Sequence, residues 1–318
     1  MTQTLERPST GISRPGRPPR RKRRLTFTGW FRSGGFVAVL FAVPIVLTFL
    51  YFSWGPVVSG LVMSFQRTNL VAAPVWVGLN NFAFVLTDPE LPQAALNTVY
   101  YAALGLILGF PVPIILAVFI NELRRGSWAY NLLAYLPAVV PPVAGILLWK
   151  FFYDPSSDGI FNSILSWVGL GPFPWLNSEA MAMPSLVLYT TWAGAGATAI
   201  IYLAAIGGIN TELYEAAEID GSGIWSRLWH VTLPQLRNII FIMMLLQLIG
   251  TFQLFTEPFL FTGGGPNNAT QTVMLKIYKY AFVNGDYGSA TALSVILALF
   301  LCLLSVVYYY VTRRWSPS

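Results

Sequence analysis

One histidine and one cysteine, His230 and Cys302, stand in this chain of 318 residues. Neither has a companion for a Cys/His metal site, a disulfide framework or a Ser-His-Asp set. The lysines Lys22, Lys150, Lys276 and Lys279 are followed by arginine, phenylalanine, isoleucine and tyrosine. A phosphate-binding P-loop needs a lysine beside serine or threonine, so the chain carries no P-loop, and it has no HExxH motif. Two polar stretches stand out against the apolar runs of the chain. YEAAEIDGSGIWSRLWHVTLP, residues 214–234, packs Glu215, Glu218, Asp220, Arg227 and His230 into sixteen residues. Farther on, Gln247, Thr251, Gln253 and Glu257 interrupt an apolar run, the last two within FQLFTEPF. Amides and carboxylates placed in hydrocarbon must pair or face a polar cavity.

The surroundings define the solvent. Charged residues make up 10% of the chain, 55% are hydrophobic and the mean hydropathy is +0.59, against roughly 25% charged in a soluble domain. Uncharged runs at 33–66, 91–121, 126–149, 180–211, 238–256 and 287–312 each hold enough residues to cross a hydrocarbon core of roughly 30 Å, which takes about 20 in a helix. They predict spans over about 36–65, 97–121, 127–149, 183–206, 236–259 and 288–311. The first follows RRKRR but is too long for a signal peptide and has no convincing cleavage site, so it reads as a retained anchor. Pro44 and Pro56 within it predict a bent or divided helix. A seventh run, GIFNSILSWVGLGPFPWLNS at 159–178, is broken by G-P-F-P and reads as an interfacial helix-turn.

Charge sets the orientation. Nine of the nineteen basic residues lie in the first 35 positions, a cluster that reads as a cytoplasmic anchor rather than a nucleic-acid contact. With six spans, fifteen basic residues fall inside, including Arg124, Arg125, Arg227, Arg237, Arg313 and Arg314; Arg67, Lys150, Lys276 and Lys279 fall outside. Both termini are then expected in the cytoplasm, with residues 1–34 a flexible basic tail and 35–312 the membrane domain. The outer loops carry VGLNNF (77–82), PSSDG (155–159) and TGGGPNNAT (262–270), rich in turn residues.

The stretch 211–234 falls on the inner side and reads as two short helices. Thr211 is expected to cap the first, with Glu212 in its first turn; Gly221 interrupts it, and Ser222 is expected to cap the second. Ile224, Leu228 and Val231 form an apolar face beside Trp225 and Trp229, and Pro234 suits the first turn of the next span. Glu215 and Glu218 are a like-charge pair at i,i+3 that needs solvent or a basic partner. An interfacial hairpin and a protein-docking hairpin fit these features equally.

Glu215-Ala216-Ala217, Gly221 after three residues, Val231 after nine more, then Leu233 and Pro234, resemble the EAA loop of membrane subunits in binding-protein-dependent ABC importers. Gly78-Leu79-Asn80-Asn81-Phe82, Trp149, Trp175-Leu176-Asn177, Trp192, Gly263 to Pro266 with Thr270, and Tyr287-Gly288-Ser289-Ala290 extend the resemblance to the sugar and glycerol-3-phosphate permease group over about 36–312. That group includes the larger membrane subunit of maltose transporters, whose large extracellular insertion this chain lacks. Asn210 stands where the family usually has proline, and Ser222 where alanine is common.

The resemblance implies an all-α, six-helix type I importer domain in a bacterial or archaeal plasma membrane. It implies a second homologous permease, two ABC subunits that bind ATP and Mg, an extracellular solute-binding protein, and a sugar-like solute. No cofactor belongs to this chain. Glu215, Ala216, Ala217, Asp220, Gly221, Leu233 and Pro234 would dock the ATPase. Trp192, Gln247, Thr251, Gln253 and Glu257 are candidates for the path, Trp192 as a surface on which a sugar ring stacks. Against these roles, Gln247 and Thr251 also suit a helix interface and Trp192 a bilayer anchor. A secondary transporter or channel independent of an ATPase would have no need of the hairpin sequence, and a membrane scaffold or enzyme subunit would have no stoichiometric ATPase.

Overall fold

The computed structural model describes residues 35–123 and 127–314; the tail 1–34, Arg124 and Arg125 lie outside the described residues. Their regular structure is helical but for one antiparallel pair of two-residue strands, β1 (Gln66–Arg67) and β2 (Val75–Trp76). Two compact units divide the chain, Met1–Val58 and Ser59–Ser318. In the first, α1 (Gly35–Phe49) carries Pro44 without ending there, and a wide turn over Leu50–Trp54 leads to α2 (Gly55–Met63). At that turn the Gly55 amide reaches the Leu50 carbonyl five residues back. The bend expected between the two prolines is therefore one loosened turn. Side chains from Val37 to Trp54 are exposed, as suits a helix bathed in lipid.

The second unit continues with α3 (Asn80–Leu86), α4 (Leu91–Leu104) and α5 (Pro111–Glu122), the last two joined by a π-helical turn at Gly105–Gly109. Then follow α6 (Ser127–Val139), α7 (Pro142–Phe152), α8 (Ile160–Ser166) and the long α9 (Glu179–Ile206). The hairpin is α10 (Thr211–Ile219) and α11 (Ile224–Arg227), and α12 (Leu233–Phe252) leaves it through a second π turn at Leu228–Thr232. Short α13 (Thr256–Phe261) and α14 (Val273–Tyr278) precede α15 (Tyr287–Arg313).

Among the described residues, five helical stretches are long and apolar enough to cross a membrane: Val37–Met63, Leu91–Glu122, Glu179–Ile206, Ile224–Phe261 and Tyr287–Arg313. The expected span 127–149 is not one straight helix. Its halves meet at 95°, so the count is six only if the bent pair is one span. The cause is LPAVVPP: Pro141 is extended (ψ 131°), Pro142 has no amide to continue a helix, and each proline disfavours the helical conformation in the residue before it. The run 159–178 forms the short α8 and a 3-10 turn at Trp175–Asn177, as its broken pattern predicts. Two expected caps are corrected. Asn210, not Thr211, caps α10, its Oδ1 accepting the Glu212 amide at 3.1 Å. Gly223, not Ser222, precedes α11, and it offers no side-chain cap.

Long-range contacts orient the bundle. Glu122 ends α5 beside Arg227 of α11, and Tyr308 in the last third of α15 donates to the Phe241 carbonyl of α12. Asn267, after α13, donates to Glu179 at the start of α9, and the Tyr287 amide donates to the Thr68 carbonyl. The hairpin thus lies at one end of the bundle. The loops before α4, α9 and α15 gather at the opposite end.

Buried amides organise that opposite end. Asn81 Nδ2 donates to the Ser64 and Gln66 carbonyls, both at 2.9 Å, which closes the turn that Gly78 (φ +61°) opens. Gly288 of α15 lies against this turn; a Cβ there would stand 2.2 Å from the Gln66 carbonyl oxygen. Asn162 Nδ2 donates to the Ser156 and Phe173 carbonyls, and its Oδ1 accepts from Trp175 Nε1. The glycine-leucine-x-asparagine-phenylalanine segment and the tryptophan-leucine-asparagine segment are therefore structural clasps.

Candidate functional site

A cleft of about 450 Å³ lies along α12, between α9 and the α4–α5 pair. Glycines admit its walls to one another. A Cβ on Gly109 would stand 2.9 Å from Thr191 Oγ1 of α9, and one on Gly105 would meet the Thr251 methyl at 3.6 Å. The π turn between α4 and α5 presents the Gly105 carbonyl to two donors, the Phe110 amide at 2.8 Å and Gln247 Nε2 at 3.0 Å. Widened turns of this kind commonly sit at functional positions because they redirect a carbonyl.

Gln247, Thr251, Gln253 and Glu257 all line this cleft, with Thr190, Thr191 and Thr198 from the facing α9. The two readings of Gln247 coincide: its amide bridges to α4–α5 and its side chain borders the cavity. Thr251 bonds within its own helix, to the Leu248 carbonyl at 2.8 Å. Trp192 is not among the lining residues. It packs against Trp149, ring centres 5.2 Å apart, and Tyr189, in an aromatic cluster between α7 and α9. Among the lining residues, Glu257 is the one carboxylate and there is no lysine, arginine or histidine.

At the hairpin end, Gly221 turns the chain with φ +74°, a conformation that glycine adopts without strain. Glu215, Ala216, Asp220 and Gly221 are exposed, Ala217 and Leu233 half-buried, and Pro234 lies in the first turn of α12. The Glu215–Glu218 repulsion is relieved by Arg227, whose Nη1 bonds Glu218 while its Nη2 bonds Glu122 at 3.3 Å. Tyr214 and Thr232 hydroxyls meet at 3.0 Å and tie α10 to the foot of α12. Ile219, Trp225 and Trp229 are 87%, 74% and 63% exposed, so the hairpin displays an apolar surface beside its acidic residues.

A third polar cluster was not anticipated from sequence. Lys276 on α14 is almost fully buried and pairs with Asp88 at 2.8 Å and Glu90 at 3.0 Å. Gln271 donates to Glu90 at 3.1 Å, Tyr280 to Asp88 and Lys279 to Gln271. Burial pushes the Asp88 carboxyl up, but bonds from Lys276, Tyr280 and the Glu90 amide outweigh it and hold it below the usual range. The Lys276 bond, then the Gln271 bond, holds Glu90 low as well. Burial and Asp88 together raise the Tyr280 phenol. The available signal was a lone lysine inside VMLKIY, apolar on both sides: a helix so apolar is expected to be buried, and a buried lysine needs a carboxylate partner.

The chain is also similar to known proteins. Residues 109–317 match the family described as binding-protein-dependent transport system inner membrane component. The probable ABC transporter permease protein YurN of Bacillus subtilis (strain 168) is 32% identical over 276 residues, 85% of this chain and 94% of its own length. The arabinooligosaccharides transport system permease protein AraP of Halalkalibacterium halodurans is 30% identical over 300 residues, covering 94% of each. A chain from the crystal structure of a bacterial ABC transporter that imports the acidic polysaccharide alginate superposes with a TM-score of 0.79 at 28% identity, over 90% of this chain and 99% of that one.

Proposed function

Since this chain belongs to the inner-membrane components of binding-protein-dependent transport systems, we propose that it forms half of the path by which an ABC importer takes up a sugar or oligosaccharide. It is the non-catalytic permease subunit of such an importer, which leaves no place for the channel or secondary-transporter alternative. Its partners in the proposed assembly are a second permease, two ATP- and Mg-binding subunits and an extracellular binding protein. Relatives that carry arabinooligosaccharides support a carbohydrate as the solute. Both termini face the cytoplasm with the hairpin, in keeping with the basic bias and with the course of α15 back to the hairpin end.

The observation that carries the mechanism is the unbroken helical run from Ile224 to Phe252. It begins in the hairpin and borders the cleft at Gln247 and Thr251. At 1.5 Å per residue, the twenty residues from Arg227 to Gln247 span about 30 Å. A hairpin seated on an ATPase would displace this rod when the nucleotide-binding subunits close, and the rod would move one wall of the path. Coupling of this kind requires an element whose contacts differ between two states. Glu215, Asp220 and the exposed aromatics supply the ATPase contacts, Ala216 and Ala217 allow close approach, Gly221 sets the angle, and Leu233 and Pro234 start the rod.

Two pairs of variants test the two halves of this reading in the purified complex. Gly221→Val forces a β-branched residue to a positive φ, at about 1–2 kcal/mol, and Glu215→Lys reverses a charge at the docking face. Both should lose copurifying ATPase and transport while inserting normally; Gly221→Asn, which tolerates that φ, should retain more of each. Gln247→Leu and Thr251→Leu should keep the ATPase and change the turnover or the preference among solutes identified by screening the binding protein. Full ATPase retention in the first pair, or unchanged transport in the second, removes the corresponding role.

A further inference from the structure

We propose that Arg227 is a positioning residue through which the hairpin moves the α4–α5 wall of the cleft together with the α12 wall; this rests on the reading of the hairpin as the element that meets the ATPase. Helix α12 needs no link to the hairpin, because α11 runs into it through the turn Leu228–Thr232. Helix α5 has no such continuity, since 105 residues of sequence separate Glu122 from Arg227. Among the described residues the polar connection is made in space by one guanidinium, beside an apolar cluster that holds Ala117 of α5 and Leu236 of α12. Its Nη2 lies 3.3 Å from Glu122 Oε2 in the last turn of α5, and its Nη1 bonds Glu218 on α10.

The character of the joint suits transmission. The Arg227 side chain is only 15% exposed, whereas Glu218 is 62% exposed, so the cation is the fixed member at the junction. A planar guanidinium that presents separate nitrogens to two carboxylates sets their relative direction, which the point charge of a lysine does not. Farther along, Gln247 of α12 bonds the Gly105 carbonyl, a second tie between the same two walls. Pinned at both places, α5 and α12 follow a displaced hairpin as one body, and α12 does not shear past α5. Pro113, Gly109 and Gly105 on the α4–α5 side line the cleft, so this movement reaches the path.

The test uses the complete complex of both permeases and both ATPase subunits, with the exposed Cys302 replaced by serine. Spin labels are placed at Ile115→Cys on α5 and Thr211→Cys on α10, both exposed, and their separation is measured without nucleotide and with ATP and vanadate. The expected result is one separation, unchanged between the two states. In Arg227→Gln it should shift on adding ATP and vanadate, and stimulation of ATP hydrolysis by the binding protein should fall at least about fivefold. Arg227→Lys should restore it only in part. The charge-exchanged set Glu122→Arg, Arg227→Glu and Glu218→Arg should restore both readouts. Should Arg227→Gln fail to assemble, Glu122→Gln breaks the same tie and leaves the Arg227–Glu218 pair intact. A separation that already changes in the unsubstituted complex, or one that stays invariant in Arg227→Gln or Glu122→Gln, overturns the proposal. ATPase fully retained in Glu215→Lys and Gly221→Val would instead overturn the docking reading, whatever the separations.

Discussion

The two ends of the helical bundle are finished differently. At the end away from the hairpin, buried polar groups find partners within the chain: Asn81 and Asn162 hold turns, and Lys276 binds Asp88 and Glu90. At the hairpin end Arg227 is anchored, but Ile219, Trp225 and Trp229 stand open and Glu215 has no salt bridge among the described residues. One end is a cap clasped largely by its own polar contacts, although Trp149 Nε1 there is buried without a hydrogen-bond partner among the described residues. The other is a firm scaffold under an incomplete surface, which accords with the proposal that a soluble ATPase covers it.

Lys276→Met breaks the comparison most severely. It leaves Asp88 in a largely buried place without its cation, at a cost of about 3–5 kcal/mol, and thermal unfolding of the purified complex should come at a lower temperature. The same pair has an acid signature. Carboxylates held low contribute stability that is full above their ordinary range near ~4 and is lost as the pH falls through their depressed values. The unsubstituted complex should therefore melt alike at pH 7 and about 5 and weaken below about 4. In Lys276→Met that acid-dependent loss should shrink; an identical acid profile would show that the pair is energetically idle.

Gly288→Ala is the next test of the same end. The new methyl would collide with the Gln66 carbonyl and lie 2.8 Å from Asn81 Nδ2, and neither can retreat without opening the clasp. Overpacking of this kind costs about 1–3 kcal/mol. A melting temperature equal to that of the unsubstituted complex would mean that the turn yields freely.

The smallest change in stability is expected at the hairpin. Replacing Trp225 and Trp229 by serine together should alter the melting of the isolated permease pair by under about 0.5 kcal/mol, because exposed side chains give up little packing. Copurifying ATPase should nevertheless fall. A large loss of stability would make the tryptophans part of the fold, and full ATPase retention would detach them from the docking surface.

Much of this molecule was determined by sequence alone, wherever the physical cause was local or periodic. Uncharged runs located the helices because hydrocarbon tolerates little else, proline and glycine punctuation kept 159–178 from being a span, and the EAA spacing pointed to the family. Gln247, Thr251, Gln253 and Glu257 were legible as a set because polar groups in an apolar run demand a cavity. The tertiary structure decided what depends on partners distant in sequence. LPAVVPP announced a disturbance, but only the fold gives the 95° turn. Trp192 has the same aromatic face wherever it points, and packing against Trp149 puts it off the cleft. Lys276 meets Asp88 across nearly two hundred residues, and Arg227 meets Glu122 across 105. No local pattern encodes such pairs, because a charge buried in a bundle is made affordable by whichever opposite charge the packing of other helices brings within reach.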